Sequence, residues 1–248
     1  MAPQNHESKP ETSTNTASST PEAPVAVKNA LNHESEHRPF SHPELLSVFP
    51  DTKYPPIPGY PEVVSVENSV EKSAALLARQ RYEPTNLWHS DTSCERQPPS
   101  YTIFKLLTSP PVGGDTLWAS GYEAYERLTP PFQKFVEGLT AIHTSKFEHP
   151  VVRTHPATGR KALYVNAAFT KRIPQLSLVE SDAVLQFLYK HVAEGHEFQV
   201  RYRWTENAVA IWDNRVTFHY ATFDYLPGNR HAVRVTPHGE IPYLAKEE

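Results

Sequence analysis

The chain has 248 residues, which suits one catalytic domain with a tail or two small domains. Hydrophobic residues make up 38% of it, enough to bury a core, and a formal charge of −4 gives no electrostatic reason to expect nucleic-acid binding. The single cysteine, Cys94, cannot form an internal disulfide, and no run of about 18 apolar residues predicts a membrane span. The N-terminal residues lack the basic and apolar regions of a secretory signal, so we expect a cytoplasmic protein.

Composition divides the chain into three parts. Residues 1–40 are rich in Ser, Thr, Pro, Glu and Asn, and they are predicted to form a disordered tail because they cannot bury enough apolar surface to offset chain entropy. Residues 41–61 are crowded with proline, which favours an extended segment over a central strand. A folded domain is predicted over residues 62–248.

Within this domain, the hydrophobic pattern predicts short strands interrupted by a few helices. In chain order, we expect a strand at 63–66, a helix at 70–81, strands at 101–107 and 115–119, helices at 120–128, 130–138 and 177–195, and strands at 198–204, 208–212, 216–220 and 231–236. Ser177 and Glu180 have the spacing of a capping box at the start of the last helix. The predicted fold class is mainly β with helical decorations, built as a sandwich or barrel.

Thirteen histidines are many for this length, which directs attention to metal chemistry. His89 and Asp91 are two positions apart, so in an extended segment both side chains point to the same side and can reach one metal ion. His219 offers a third ligand, and two histidines with one carboxylate suit Fe(II) while leaving coordination positions open. Each observation alone has an ordinary alternative, because a His-x-Asp pair is more often a surface pair and a lone histidine is more often a core residue.

Two arginines follow on the next predicted strand. Arg230 and Arg234 share one face of it, so both guanidinium groups can point into one cavity. Arginine binds carboxylate and sulfonate groups through a planar fork, which lysine cannot reproduce. In isolation, a pair of arginines on a solvated strand face is an equally good interpretation.

Together, these residues resemble the taurine dioxygenase family. The resemblance lies in the stretches NLWHSDTSCERQPPSYTIFKLL, PPVGGDTLWASGYEAYERL, ALYVNAAFTKRI and FQVRYRWTENAVAIWDNRVTFHYATFDYLPGNRHAVRVTPHGE, and it extends from about Gly59 to Tyr243. The family comprises Fe(II)- and 2-oxoglutarate-dependent dioxygenases of sulfonates, sulfate esters and aryloxyacetates, and the chain is most similar to its fungal sulfonate dioxygenases. The resemblance implies a double-stranded β-helix, or jelly-roll, core.

The resemblance also implies roles for individual residues. His89, Asp91 and His219 would hold Fe(II), with no catalytic residue beyond these ligands. Thr116 and Arg230 would bind the distal carboxylate of the cosubstrate 2-oxoglutarate, and O₂ would be the second cosubstrate.

For the primary substrate, the resemblance implies a small organic anion. Arg234 would face its charged head, Phe169 would line its pocket, and the backbone N–H of Thr92 would be available to an anion. Trp204 and Trp212 match aromatic positions near the iron, although plain core packing explains them equally well. The partners expected are therefore small molecules, with no nucleic acid and no membrane, and the resemblance leaves a homo-oligomer open.

The chain departs from the family on its N-terminal side. Family members have a longer segment before the part that matches Gly59, including a histidine that helps to hold sulfonate, and Thr85 stands where the taurine enzyme has an asparagine. We therefore expect a jelly roll that is incomplete at its N-terminal side, with an open sheet edge, exposed apolar surface and a substrate other than taurine.

Two further interpretations compete with an active dioxygenase. One is a truncated or catalytically inactive family member that binds a metal or a partner without turnover. The other is a zinc hydrolase using the same three ligands, which would leave Arg230 and Thr116 without a role. The remaining histidines, including His143, His149 and His155, match no ligand pattern and are predicted to lie in loops or on the surface.

Overall fold

The computed structural model describes residues 54–144 and 147–246. The predicted tail at 1–40 and most of the proline-rich segment, up to residue 53, lie outside the described residues. The helices are α1 (Val70–Tyr82), α2 (Gly121–Glu126), α3 (Pro130–Glu137) and α4 (Leu178–Glu194), and short 3₁₀ turns lie at Pro84–Leu87 and His196–Phe198.

The strands carry most of the architecture, as the sequence predicts. They are β1 (Pro56–Ile57), β2 (Tyr60–Glu67), β3 (Tyr101–Thr108), β4 (Thr116–Ser120), β5 (Thr140–His143), β6 (Phe147–Pro150), β7 (Val152–Thr154), β8 (Lys161–Leu163), β9 (Thr170–Arg172), β10 (Gln199–Tyr202), β11 (Val209–Asp213), β12 (Thr217–Ala221) and β13 (His231–Val235). The sequence analysis missed β5 to β9, because strands of three or four residues are too short to show a periodic pattern.

Two antiparallel sheets form the jelly-roll core. The larger sheet has the order β1-β2-β13-β3-β11, and the smaller one has the order β10-β4-β12. Smaller pairings, β6-β5-β9 and β7-β8, complete the described strands. Strand β2 begins at Tyr60, two residues before the predicted start of the domain, and it is hydrogen bonded to strands on both sides.

Alternation along the larger sheet separates an inner from an outer face. Thr102, Phe104 and Leu106 of β3 are buried, and the residues between them face outward. On β11, which is the last strand of this sheet in the described part of the chain, Val209 and Ile211 are 55% and 65% exposed. In the described part of the chain, this end of the sheet therefore exposes apolar side chains, while the expected incompleteness at the N-terminal side stays a prediction.

The main hydrophobic core lies between the smaller sheet and the helices. Helix α4 starts at the predicted capping box, in which the Ser177 side chain accepts from the Glu180 backbone N–H and the Glu180 side chain accepts from the Ser177 backbone N–H. Its residues Leu185, Leu188 and Val192 are buried in this core. Among the described residues, no helix combines the length and the apolar character needed to cross a bilayer.

Candidate metal centre

The two histidines of the predicted ligand set are brought together by the backbone. His219 lies in the middle of β12, and His89 pairs with it in an isolated antiparallel bridge. The N–H of His89 donates to the carbonyl of His219 at 3.0 Å, and the N–H of His219 donates to the carbonyl of His89 at 2.7 Å. Their ring centroids are 4.2 Å apart, so both imidazoles face the same small volume.

Asp91 completes the cluster. Its Oδ1 lies 3.9 Å from His89 Nε2 and 3.8 Å from His219 Nε2. The hydroxyl of Thr102 donates to the other carboxylate oxygen, Oδ2, at 2.8 Å, while Nη1 of Arg234 donates to Oδ1 at 2.8 Å. One ligand atom from each of the three residues lies within 4.8 Å of the others.

The ionisation of these groups suits metal binding. Burial lowers the pKa of His219 to about 3, so its ring is neutral at neutral pH. Burial acts to raise the pKa of the Asp91 carboxyl, but the adjacent Arg234 guanidinium helps to outweigh that effect and hold it well below its usual range. A neutral imidazole and an ionised carboxylate are the forms that coordinate a metal.

Each histidine of the cluster keeps its Nε2 atom available to a metal, while Oδ1 of Asp91 is shared with Arg234. Nδ1 of His89 donates to the carbonyl of Leu87 at 2.8 Å, which leaves Nε2 for a metal, as outer hydrogen bonds commonly do for metal-binding histidines. Nδ1 of His219 is buried with no hydrogen-bond partner in the described structure. Two imidazoles and one carboxylate on one side of an open cavity fit a divalent iron ion.

A cavity of about 160 Å³ opens beside the cluster, between the two sheets. Of the eight residues predicted to bind the metal, the cosubstrate or the substrate, six line this cavity. Its lining residues are Tyr54, Val66, Asn68, His89, Asp91, Phe104, Thr116, Trp204, Trp212, His219, Ala221, Phe223, Arg230 and Arg234. The wall therefore combines aromatic side chains with convergent polar and charged groups, as in a small-molecule site.

Arg230 is a buried cation in this cavity, only 9% exposed. Its Nε donates to the carbonyl of Gly114 at 3.0 Å, and its guanidinium lies over the rings of Phe104 and Trp204 at 5.2 and 5.9 Å. Within residues 54–144 and 147–246, it forms no salt bridge with a carboxylate, and burial lowers its pKa. Burying a charge without a counter-ion is costly, so the site favours an anionic ligand.

Thr116 lies on β4 in the same cavity. Its hydroxyl oxygen accepts a hydrogen bond from Nε1 of Trp204 at 2.9 Å. Because a hydroxyl both donates and accepts, the proton of Thr116 is available to a ligand oxygen. Trp204 thus both lines the cavity and orients Thr116, a role that core packing alone does not describe.

The two other residues predicted to bind substrate lie beside the cavity and do not line it. The Phe169 ring is 6.2 Å from the His89 ring in an edge-on contact. Thr92 has a positive φ of 43°, and its hydroxyl is buried with no hydrogen-bond partner in the described structure. Sequence reasoning missed Tyr54, which precedes β1, and Asn68, which follows β2; both line the cavity and belong to no motif.

The prediction that the remaining histidines lie in loops or on the surface is wrong for His143 and His149, whereas His155 does lie in a loop, although a buried one. His143 lies on β5 and His149 on β6, while His155 follows β7, and all three are buried. Each ring has a hydrogen-bond partner: Ser93 for His143, the Glu95 carbonyl for His149, and Asp213 for His155 at 2.9 Å. Such partners make burial of a polar ring tolerable, and they come from distant parts of the sequence.

The fold and the site together define a double-stranded β-helix protein with a His–Asp–His cluster in its cavity. The model of the taurine catabolism dioxygenase TauD, TfdA family matches residues 38–236, and the chain belongs to this family. A crystallised taurine dioxygenase from Burkholderia xenovorans has 39% sequence identity to the chain and superimposes with a TM-score of 0.67, covering 75% of this chain and 67% of that one.

Fungal relatives are similar at a comparable level. A Schizosaccharomyces pombe protein is 47% identical over 176 residues, which cover 63% of this chain and 45% of that protein. The alpha-ketoglutarate-dependent sulfonate dioxygenase of Saccharomyces cerevisiae is 43% identical over 175 residues, covering 62% of this chain and 42% of that protein. The chain thus spans about half the length of these relatives.

Proposed function

We propose that the chain is an Fe(II)- and 2-oxoglutarate-dependent dioxygenase that hydroxylates a small organic anion, such as a sulfonate or a sulfate ester, and releases succinate and CO₂. The observation that carries the proposal is the placement of Arg230, a buried cation without a carboxylate partner in the described structure, in the same cavity as His89, Asp91 and His219. A zinc hydrolase has no use for that arrangement.

His89, Asp91 and His219 would hold the iron, which, when bound, would supply the oxidation of the 2-oxo acid and the substrate by O₂. Arg230 would pair with the distal carboxylate of 2-oxoglutarate through its two free amino groups, and the Thr116 hydroxyl would donate to the same carboxylate. Two such contacts fix the orientation of the cosubstrate and lower the entropic cost of reaction.

Arg234 would bind the anionic head of the primary substrate. Its guanidinium already lies 2.8 Å from Asp91, so an anion bound to it would sit next to the metal. The aromatic side chains of Phe104, Trp204, Trp212 and Phe223 exclude water from the space between the two anion-binding groups. The relatives support this substrate class, because one from Pseudomonas putida, 36% identical over 185 residues, is named an alpha-ketoglutarate-dependent sulfate ester dioxygenase.

The test is succinate formation by the full chain with Fe(II), ascorbate, 2-oxoglutarate and O₂. A panel of alkyl sulfonates, alkyl sulfate esters and aryloxyacetates would be supplied one at a time, with His219→Ala as the control without an intact ligand set. We expect succinate in stoichiometric amounts with at least one anion and none from the control. A chain that binds iron and 2-oxoglutarate but forms no succinate would support the inactive family member instead. Product formation without O₂ and 2-oxoglutarate would support the zinc hydrolase.

A further inference from the structure

Asn214 is a fully buried residue that holds the backbone of Asp91. It lies in the turn between β11 and β12, and its side-chain oxygen accepts from the Asp91 N–H at 2.7 Å. Its amide nitrogen donates to the Asp91 carbonyl at 3.0 Å and to the Pro99 carbonyl at 3.1 Å. One side chain therefore binds both backbone groups of the residue that carries the carboxylate.

This contact matters because Asp91 belongs to no strand in the described part of the chain. Strand β3 begins only at Tyr101, and the segment from Ser90 to Ser100 contributes one isolated bridge, at Pro99. The residue after Asp91, Thr92, has a positive φ of 43°, a conformation that local preferences do not favour. The direction of the Asp91 side chain must therefore be set by tertiary hydrogen bonds.

The turn that contains Asn214 is also tied to the other ligands. It leads directly into β12, which carries His219, and His219 is paired with His89. The Asn214 backbone N–H donates to the carbonyl of Ser100 at 2.9 Å, at the far end of the same loop. Asn214 thus connects the Asp91 loop to the strand that carries His219.

Thr102 fixes the other end of the ligand. From β3, its hydroxyl donates to Oδ2 of Asp91 at 2.8 Å, which directs the opposite oxygen, Oδ1, toward His89 and His219. Asn214 thus holds the backbone of Asp91, and Thr102 holds Oδ2 while Arg234 contacts Oδ1, so these bonds orient the carboxylate.

We propose that Asn214 and Thr102 are positioning residues of the metal centre, which set its metal affinity by holding Asp91 for coordination through Oδ1. The inference rests on the proposed function to the extent that the cluster binds a divalent metal. Loss of an outer hydrogen-bond partner commonly weakens metal affinity by about 10–100-fold. We expect Asn214→Ala to weaken metal affinity by a factor in this range, and Thr102→Val to weaken it as well.

The experiment measures Co²⁺ and anaerobic Fe²⁺ binding to the full chain, so it does not depend on turnover. Dissociation constants come from titration, and the visible absorption spectrum of bound Co²⁺ reports how Asp91 coordinates. Thr102→Val should change that spectrum, because Oδ2 becomes free to coordinate, and Thr102→Ser should restore both the spectrum and the affinity. A substitution that affected only folding stability would change neither the Co²⁺ spectrum nor the metal affinity of the folded protein.

Asn166→Ala is the matched control. Asn166 is also a buried asparagine in a polar network, but its side chain binds Ser93 and the backbone of Phe169 and makes no bond to Asp91. It should reduce stability and leave the dissociation constant for Co²⁺ unchanged. If the Asn214→Ala protein does not fold, the metal affinities and Co²⁺ spectra of Thr102→Val and Thr102→Ser test the proposal.

Wild-type affinity and an unchanged Co²⁺ spectrum in folded Asn214→Ala and Thr102→Val proteins would overturn this inference and leave the proposed function standing. If the wild-type chain itself bound neither Co²⁺ nor Fe²⁺, the result would contradict both this inference and the proposed function.

Discussion

His89 and His219, distant in the sequence, exchange two backbone hydrogen bonds across a single antiparallel bridge. Their rings are consequently held 4.2 Å apart by main-chain geometry, and both rings line the cavity together with Asp91. A ligand set held by the backbone is rigid before any ion binds, which lowers the entropic cost of binding. The following predictions depend on this arrangement and on its surroundings.

His219→Ala should abolish metal binding and turnover, because it removes one of three ligands. The loss of affinity should exceed the roughly 10–100-fold that an outer-shell change causes. Titration with Co²⁺ measures it directly. His231→Ala is the control, since His231 lies on β13 and hydrogen bonds to Ser65, away from the cluster. Equal loss in both variants would mean that folding, and not ligation, is affected.

Arg230→Ala should raise the KM for 2-oxoglutarate far more than it changes kcat. Hydrogen bonds to charged groups contribute about 1.5–3 kcal/mol, which corresponds to roughly a ten- to hundredfold rise. Arg230→Lys should restore only part of the affinity for 2-oxoglutarate, because lysine lacks the planar fork of arginine. Steady-state kinetics at varied 2-oxoglutarate measures the change, with the exposed Arg127, which pairs with Glu123, as the site of a control substitution. An unchanged KM would rule out the cosubstrate role of Arg230.

Gly113→Ala should both destabilise the fold and weaken 2-oxoglutarate binding. Gly113 has a φ of +76°, and a Cβ there would lie 2.6 Å from the Asp224 carbonyl oxygen. Asp224 accepts from the N–H of Gly114, whose carbonyl in turn accepts from Arg230, so displacement of this loop moves the anion-binding group.

Gly159→Ala provides the matched control for Gly113, because its φ is +70° but no atom lies within 4 Å of an added Cβ. It should cost only about 1–2 kcal/mol for the left-handed backbone. Thermal unfolding and the KM for 2-oxoglutarate separate the two variants. Equal effects of the two substitutions on both measurements would contradict the predicted clash.

Acid should destabilise the protein partly through His143. Burial lowers its pKa to about 3 in the folded state, from 6.5 in the reference state, and the neighbouring His149 ring, 5.2 Å away, acts in the same direction. Between these values the unfolded chain binds a proton that the folded chain does not, so stability falls as the pH falls from about 6.5 toward 3. The contribution is up to about 1.4 kcal/mol per pH unit.

Replacing His143 with Gln should therefore flatten the dependence of the unfolding free energy on pH in this window. Chemical denaturation at a series of pH values measures the slope. The same exchange at the exposed His196 controls for the general effect of replacing a histidine with glutamine. A slope that is equally steep in His143→Gln would show that other groups account for the acid sensitivity.

Much of the site could be predicted from the sequence because its parts are local. His89 and Asp91 are two positions apart, Arg230 and Arg234 lie on one face of a strand, and the capping box of α4 needs only Ser177 and Glu180. The mainly β fold was also predictable from short apolar runs between turns. The roles given to Phe169 and Thr92 remain predictions, because both residues lie beside the cavity and outside its lining.

By itself, the sequence determined the chemical types available, two imidazoles, one carboxylate and two guanidinium groups, and the local periodicity of the strands that carry them. Only the tertiary structure decided that Asn214 and Thr102 hold Asp91 and that His143, His149 and His155 become buried residues. The physical reason is that hydrogen bonds such as those between Asn214 and Asp91 and between His143 and Ser93 join residues far apart in the chain. No local sequence pattern encodes such partners. Burying these polar side chains without hydrogen-bond partners would destabilise the fold.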